Sequence, residues 1–240
     1  MPIIWSALGP DGYDSRDGTV EGRCQVARKK SLDLGPVLRS QILESASRLF
    51  YERGYAATSI RDIAVAVGIS SSTMYHHFTN KQEILAAVVT RFMSDFNGAT
   101  IPLLEDRSRS PIDRLRDVIA IHIEMSDDRR QELLVGNPVR YALDPDQRKQ
   151  VLGQQAQYNA AVRELIDEGR SVDIFHVSDP GLATMAVLDM LNGIREWFHG
   201  SGRLDRSTVI QEYMEFALRL LGASHTDPAP TRTLDTQPPR

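Results

Sequence analysis

From residue 37 to residue 222 almost every stretch of the chain repeats its apolar side chains at helical spacing, and strand-like alternation is nearly absent. Each such segment must bury one stripe against its neighbours, which confines the chain to packed helices. The starts of the segments are marked as well. Ser110-Pro111, Asp144-Pro145 and Asp179-Pro180 each set a capping side chain ahead of a proline, whose missing N–H costs nothing at the first helical position. Ser59 with Asp62, and Asn80 with Glu83, have the spacing of a capping box, and Asp205 opens a last segment. Gly54, Gly68 and Gly169 supply stops. The pattern predicts an all-α fold of about nine helices. The first runs from about Val37 to Arg53, with Leu38, Ile42, Ala46, Leu49 and Phe50 on one stripe.

The 240 residues divide into four stretches: an irregular extension over 1–36, a three-helix unit over 37–84, a larger helical unit over 85–222 and a Pro- and Thr-rich tail over 223–240. The one cysteine, Cys24, excludes an intrachain disulfide framework and fits a reducing cytoplasm. No apolar run is long enough to span a bilayer, and the opening residues lack the form of a secretory signal. A net charge of −4 argues against indiscriminate coating of nucleic acid. The charge is uneven, however: Arg23 to Arg61 holds eight basic residues against three acids. A basic N-terminal third on an acidic body has the form of a local DNA footprint. Arg28-Lys29-Lys30, just ahead of the first expected helix, forms either a flexible arm for a minor groove or a solvated tail.

Residues 54–81, GYAATSIRDIAVAVGISSSTMYHHFTNK, comprise two short helices joined by a glycine turn, the skeleton of a helix-turn-helix. Ala64, Val67 and Ile69 supply apolar contacts that fix the angle between them, while Met74 and Phe78, four apart, pin the second to a core. The remaining face of that helix carries Ser71, Ser72, Thr73, Tyr75, His76 and His77, hydroxyls and imidazoles able to bond base edges and phosphates. The run from Gly54 and Tyr55 through Thr58-Ser59-Ile60-Arg61-Asp62-Ile63-Ala64, Gly68-Ile69-Ser70 and Thr73 to Tyr75, His77-Phe78 and Asn80-Lys81 resembles the TetR (tetracycline-repressor-like) family. The resemblance implies that Arg61, Ser71, Ser72, Thr73 and His76 approach base edges, and that Thr58, Ser59, Tyr75, His77 and Lys81 clamp phosphates. It departs from many relatives in the short serines at 71 and 72, which leave fewer long arms for base reading.

The same resemblance makes residues 85–222 an effector-binding and dimerisation domain, so that a homodimer would read a palindrome-like site in double-stranded operator DNA. The helices at about 180–199 and 206–221 would pair two copies through Leu188, Leu191, Phe216, Leu220 and Leu221. An effector pocket is expected among the helices that start near Pro111, Pro145 and Pro180, with His122, Tyr158, Met185, Asp189, Asn192 and Trp197 as candidate contacts. Arg140, Tyr141, Arg148 and Lys149 either meet an anionic group or form a solvated basic face. Ile174-Phe175, Asp179-Pro180 and Trp197-Phe198 ahead of Gly202 and Leu204 resemble TetR-like regulators of lipid or sterol degradation that sense acyl-coenzyme A esters, which implies a hydrophobic or acyl-coenzyme-A-like effector.

The reading is of a ligand-responsive transcriptional regulator, with repression as its output. An architectural DNA binder without effector is the first alternative and a helical enzyme the second. The sequence has no Gly-rich phosphate loop, no His-Glu-x-x-His pair, no Cys/His ligand spacing and no nucleophile-elbow serine, so no cofactor, metal or catalytic residue is expected.

Overall fold

The computed structural model describes residues 21–139, 142–200 and 202–223, with side chains from Gly35 onward apart from 136–139. Its elements are α1 (Glu21–Arg53), α2 (Ile60–Val67), α3 (Ser71–His77), α4 (Lys81–Glu105), α5 (Pro111–Asp128), α6 (Arg130–Val139), α7 (Pro145–Ser171), α8 (Pro180–Trp197) and α9 (Arg206–Leu220). No strand occurs among the described residues. By compactness the chain divides into residues 1–41 and residues 42–240.

Each helix with a readable start begins where its cap stands. Ser59 accepts from Asp62 N and Asp62 answers to the Ser59 backbone, a complete capping box. Ser110, Asp144, Asp179 and Asp205 each accept from a first-turn N–H, three of them directly ahead of a proline. Asn80 caps α4, but the Glu83 carboxylate reaches Thr79 N at 2.7 Å rather than Asn80.

Two elements differ from expectation. α1 begins at Glu21, where an irregular segment was expected as far as residue 36, and Pro36 lies inside the helix. Gly35-Pro36 reads locally as a breaker, yet Gln25 to Lys30 are good helix formers and only one intrahelical bond is forfeited at the proline. Arg28-Lys29-Lys30 is therefore helical rather than an extended arm. Residues 1–20 lie outside the described residues, as do Arg140, Tyr141 and the tail from residue 224. α6 has no capping side chain and follows α5 after Arg129 alone, so nothing local announces it.

The buried side chains form two groups. Ile42, Ala46, Leu49 and Phe50 of α1, Ile63 and Ala64 of α2, Met74 and Phe78 make a small core beneath the helix-turn-helix. The larger core runs from Phe92 to Leu221 through α4, α5, α7, α8 and α9. Arg114 is a buried cation in that region: it donates to Leu104 O at 2.8 Å and to the Glu168 carboxylate at 2.5 Å.

The outer stripe of α8 and α9 also differs in detail. Leu188, Leu191 and Leu221 are buried inside the protomer. On a helix packed on several sides, sequence alone does not say which apolar position faces which neighbour. The apolar side chains left in solvent are Leu182, Met185 and Trp197 with Phe216 and Leu220.

Candidate nucleic-acid interface and effector cavity

α3 is a helix with two unlike faces. Met74 and Phe78 are buried on one, and Ser71, Ser72, Tyr75 and His76 stand in solvent on the other. The turn before it is fixed by Gly68 in the left-handed region (φ 78°), whose N–H bonds back to Val65 O, while Ile69 N bonds Ala64 O. Ser70 caps α3, accepting from Thr73 N at 3.0 Å and sharing a hydrogen bond with the Thr73 hydroxyl at 2.9 Å. The serine run is thus divided: Ser70 and half-buried Thr73 hold the helix start, and Ser71 and Ser72 are open.

The other expected DNA contacts separate in the same way. Arg61 and Ser59 are exposed on the first turn of α2. His77 is half-buried and already has a partner. Thr58 does not fit the expected phosphate clamp, because its hydroxyl is buried and donates to Leu49 O at 3.2 Å and Gly54 O at 2.9 Å. Those bonds tie the turn after α1 back onto the last turns of that helix. Lys81 reaches back the same way, donating to Tyr55 O at 2.6 Å and Ala56 O at 3.4 Å with its ammonium 4.4 Å above the Tyr55 ring. Of its three donors one is left.

In the larger unit, α4, α5, α7 and α8 enclose a cavity of about 300 Å³. Of the expected effector contacts it gathers His122, Tyr158, Asp189 and Asn192. Met185 and Trp197 are not among its lining; both are about half exposed on the outside of α8. Sequence reasoning missed Ser126, Gln155, Asn159 and Arg195. Ser126 follows His122 by one helical turn and Gln155 precedes Tyr158 by three residues, so periodicity carried along from His122 and Tyr158 would have found these two. His122 and Tyr158 bond each other, Nδ1 to hydroxyl at 3.3 Å, and both stand edge-on to Phe96, at 5.1 and 4.8 Å between ring centres. Burial, with the Arg195 charge adding to it, lowers the His122 pKa to about 4, so the imidazole is neutral at pH 7. Burial also raises the Tyr158 pKa, which keeps its proton in place. A second, smaller cavity of about 40 Å³ adjoins through Phe92, Met93, Leu133 and Gln155 and extends to Leu143 and Val151. Arg148 lines it and Lys149 is exposed, while Arg140 and Tyr141 of the same basic cluster lie outside the described residues.

These features match known proteins. The profile of bacterial regulatory proteins of the tetR family covers residues 42–88, and that of the tetracyclin repressor-like C-terminal domain covers residues 108–221. The HTH-type transcriptional repressor KstR2 of Mycobacterium tuberculosis is 26% identical over 189 residues, spanning 75% of this chain and 90% of that protein. The crystal structure of PfmR from Thermus thermophilus superposes with a TM-score of 0.69 at 30% identity, over 74% of this chain and 97% of that one. AibR, crystallised with isovaleryl coenzyme A and operator DNA, shares the fold at a TM-score of 0.67 and 24% identity, over 75% and 97% of the two chains. No described helix is long and apolar enough to cross a membrane. With both family profiles in chain order, a helix-turn-helix whose outer face is free and a helical unit enclosing a cavity, the chain belongs to the TetR family of transcriptional regulators, which are not enzymes but bind operator DNA as dimers and respond to small-molecule effectors.

Proposed function

We propose that the protein is a cytoplasmic repressor that holds a two-fold symmetric operator through α2 and α3 of two copies. It releases that operator when a small amphipathic effector enters the cavity among α4, α5, α7 and α8. One observation carries the reading: α3 is anchored by Met74 and Phe78 while Ser71, Ser72, Tyr75 and His76 stay in solvent. In this reading Arg61, Ser71, Ser72 and His76 meet base edges, and Ser59 and Tyr75 meet phosphates, with the last donor of Lys81 beside them. Two copies pair through Leu182, Met185, Trp197, Phe216 and Leu220, which puts two α3 helices about one duplex turn apart. Relatedness to KstR2, itself a repressor, supports the sign of the output, and AibR with isovaleryl coenzyme A and operator DNA supports control by an effector. The effector acts through unequal affinity for two dimer conformations.

Selection of duplexes from fragmented genomic DNA, followed by footprinting, tests the reading. It expects one discrete protected site with two-fold symmetry. Tyr75→Ala is expected to weaken binding to every duplex about tenfold while the thermal transition stays in place. A well-folded variant with unchanged affinity removes Tyr75 from the interface, and protection without a discrete site favours an architectural protein.

A further inference from the structure

The cavity is graded along its depth. Its inner wall is made of buried side chains: Phe92, Phe96, His122, Ser126, Tyr158 and Leu188. Its charged groups stand outward: Asp189 is exposed, and the half-buried Arg195 bonds the Glu196 carboxylate at 3.1 Å. Between them lie side chains of one chemical kind. Buried Ser126, half-buried Gln155 and Asn159 and exposed Asn192 are neutral donors and acceptors with no hydrogen-bond partner among the described residues, and His122 uses only Nδ1. A ligand that displaces the solvent around these groups keeps its affinity only if it supplies matching donors and acceptors. Beyond the polar part, Phe92, Met93 and Leu133 also line the smaller cavity beside Leu143 and Val151, where methylenes would find apolar contact.

We infer that the effector is an uncharged, oxygen-bearing amphipath whose keto or hydroxyl group sits at the His122–Tyr158 pair and whose apolar body lies along Phe92, Met93 and Leu133 toward Leu143. The inference rests on this cavity being the effector site. A ketone accepts a hydrogen bond from Tyr158 or Ser126, and an alcohol also gives one to an amide oxygen or an imidazole nitrogen. A carboxylate in the same place loses its water against the neutral His122 and Tyr158, while the one cation among the described residues of the lining, Arg195, is already paired with Glu196 and shares the opening with the Asp189 carboxylate. Neutral lining groups set specificity by which partner they leave unpaired.

The test uses the full chain with three ten-carbon probes that differ only at one end: 2-decanone, 1-decanol and decanoate. Calorimetric titration at pH 7.5 is expected to give at least tenfold tighter binding of 2-decanone or 1-decanol than of decanoate. Tyr158→Phe and Ser126→Ala, made separately so that one folded variant suffices, are each expected to shrink that preference severalfold. Release of a selected operator duplex by the same probes is read in parallel. Equal or tighter binding of decanoate, with operator release, overturns the neutral-head inference and leaves the effector cavity standing. Failure of all three probes to bind or to release DNA overturns the inference and counts against the cavity as the effector site.

Discussion

Asp205 is one side chain whose environment can be read from its partners. Ser207 Oγ at 2.6 Å, Thr208 N at 2.9 Å and Thr208 Oγ1 at 2.8 Å all donate to its carboxylate, and they lower its pKa from 3.8 to about 2. Because the folded value lies below the unfolded one, the cap contributes fully above pH 3.8 and is lost as the pH falls toward 2. Asp62, Asp113 and Asp179 are lowered for the same reason, hydrogen bonds at or near helix starts, and act in the same direction. The melting temperature followed by circular dichroism is therefore expected to drop between pH 4 and pH 2, with a shallower slope in Asp205→Asn. Gly169 is another single position with a clear constraint. A Cβ there would overlap the buried Phe175 ring, while Ile174 N and Phe175 N both bond Gly169 O at 2.8 and 3.0 Å. Gly169→Ala is expected to cost about 1–3 kcal/mol in urea unfolding, since ring and backbone must shift together.

Among the elements, the end of α4, the start of α5 and the end of α7 meet at Arg114. Its guanidinium is almost wholly buried and holds Leu104 O and Glu168. Glu168→Ala leaves that cation without its counter-charge and is expected to cost about 3 kcal/mol, somewhat reduced because the Glu168 side chain is 25% exposed. Adding Arg114→Met to the same variant is expected to restore part of the loss, and denaturant unfolding of the two singles and the double would measure the coupling. The helix-turn-helix is built differently. Its angle is set by one left-handed glycine and buried apolar side chains, and its polar groups serve as caps (Ser59, Ser70) or hold the turn between α1 and α2 (Thr58, Lys81). What is left outside is a short polar strip on α3.

At the scale of the molecule, the exposed stripe of α8 and α9 is where a second copy would pack. Phe216→Glu with Leu220→Glu is expected to yield a monomer by sedimentation and to lower operator affinity roughly a hundredfold, since two half-sites are then no longer held together. A folded double variant that remains dimeric would move the interface elsewhere. Helix starts, the helix-turn-helix and the split between an anchoring and an open face of α3 were legible in the sequence, because caps, a Gly turn and an i, i+4 apolar pair act within one or two turns of chain. The same local rules misjudged Pro36, gave no sign of α6 and assigned Leu188, Leu191 and Leu221 to a subunit interface that burial within the protomer excludes. His122 and Tyr158 could be named as candidates from their positions on apolar stripes, but 36 residues separate them, and only packing of α5 on α7 brings them to one hydrogen bond. Sequence alone thus determined most of the helices, their capped starts and the outward chemistry of α3, all set by contacts between near neighbours in the chain. The tertiary structure decided which stripe faces a core, which faces solvent and where a cavity remains, since those follow from how several helices share space and not from the periodicity of any one.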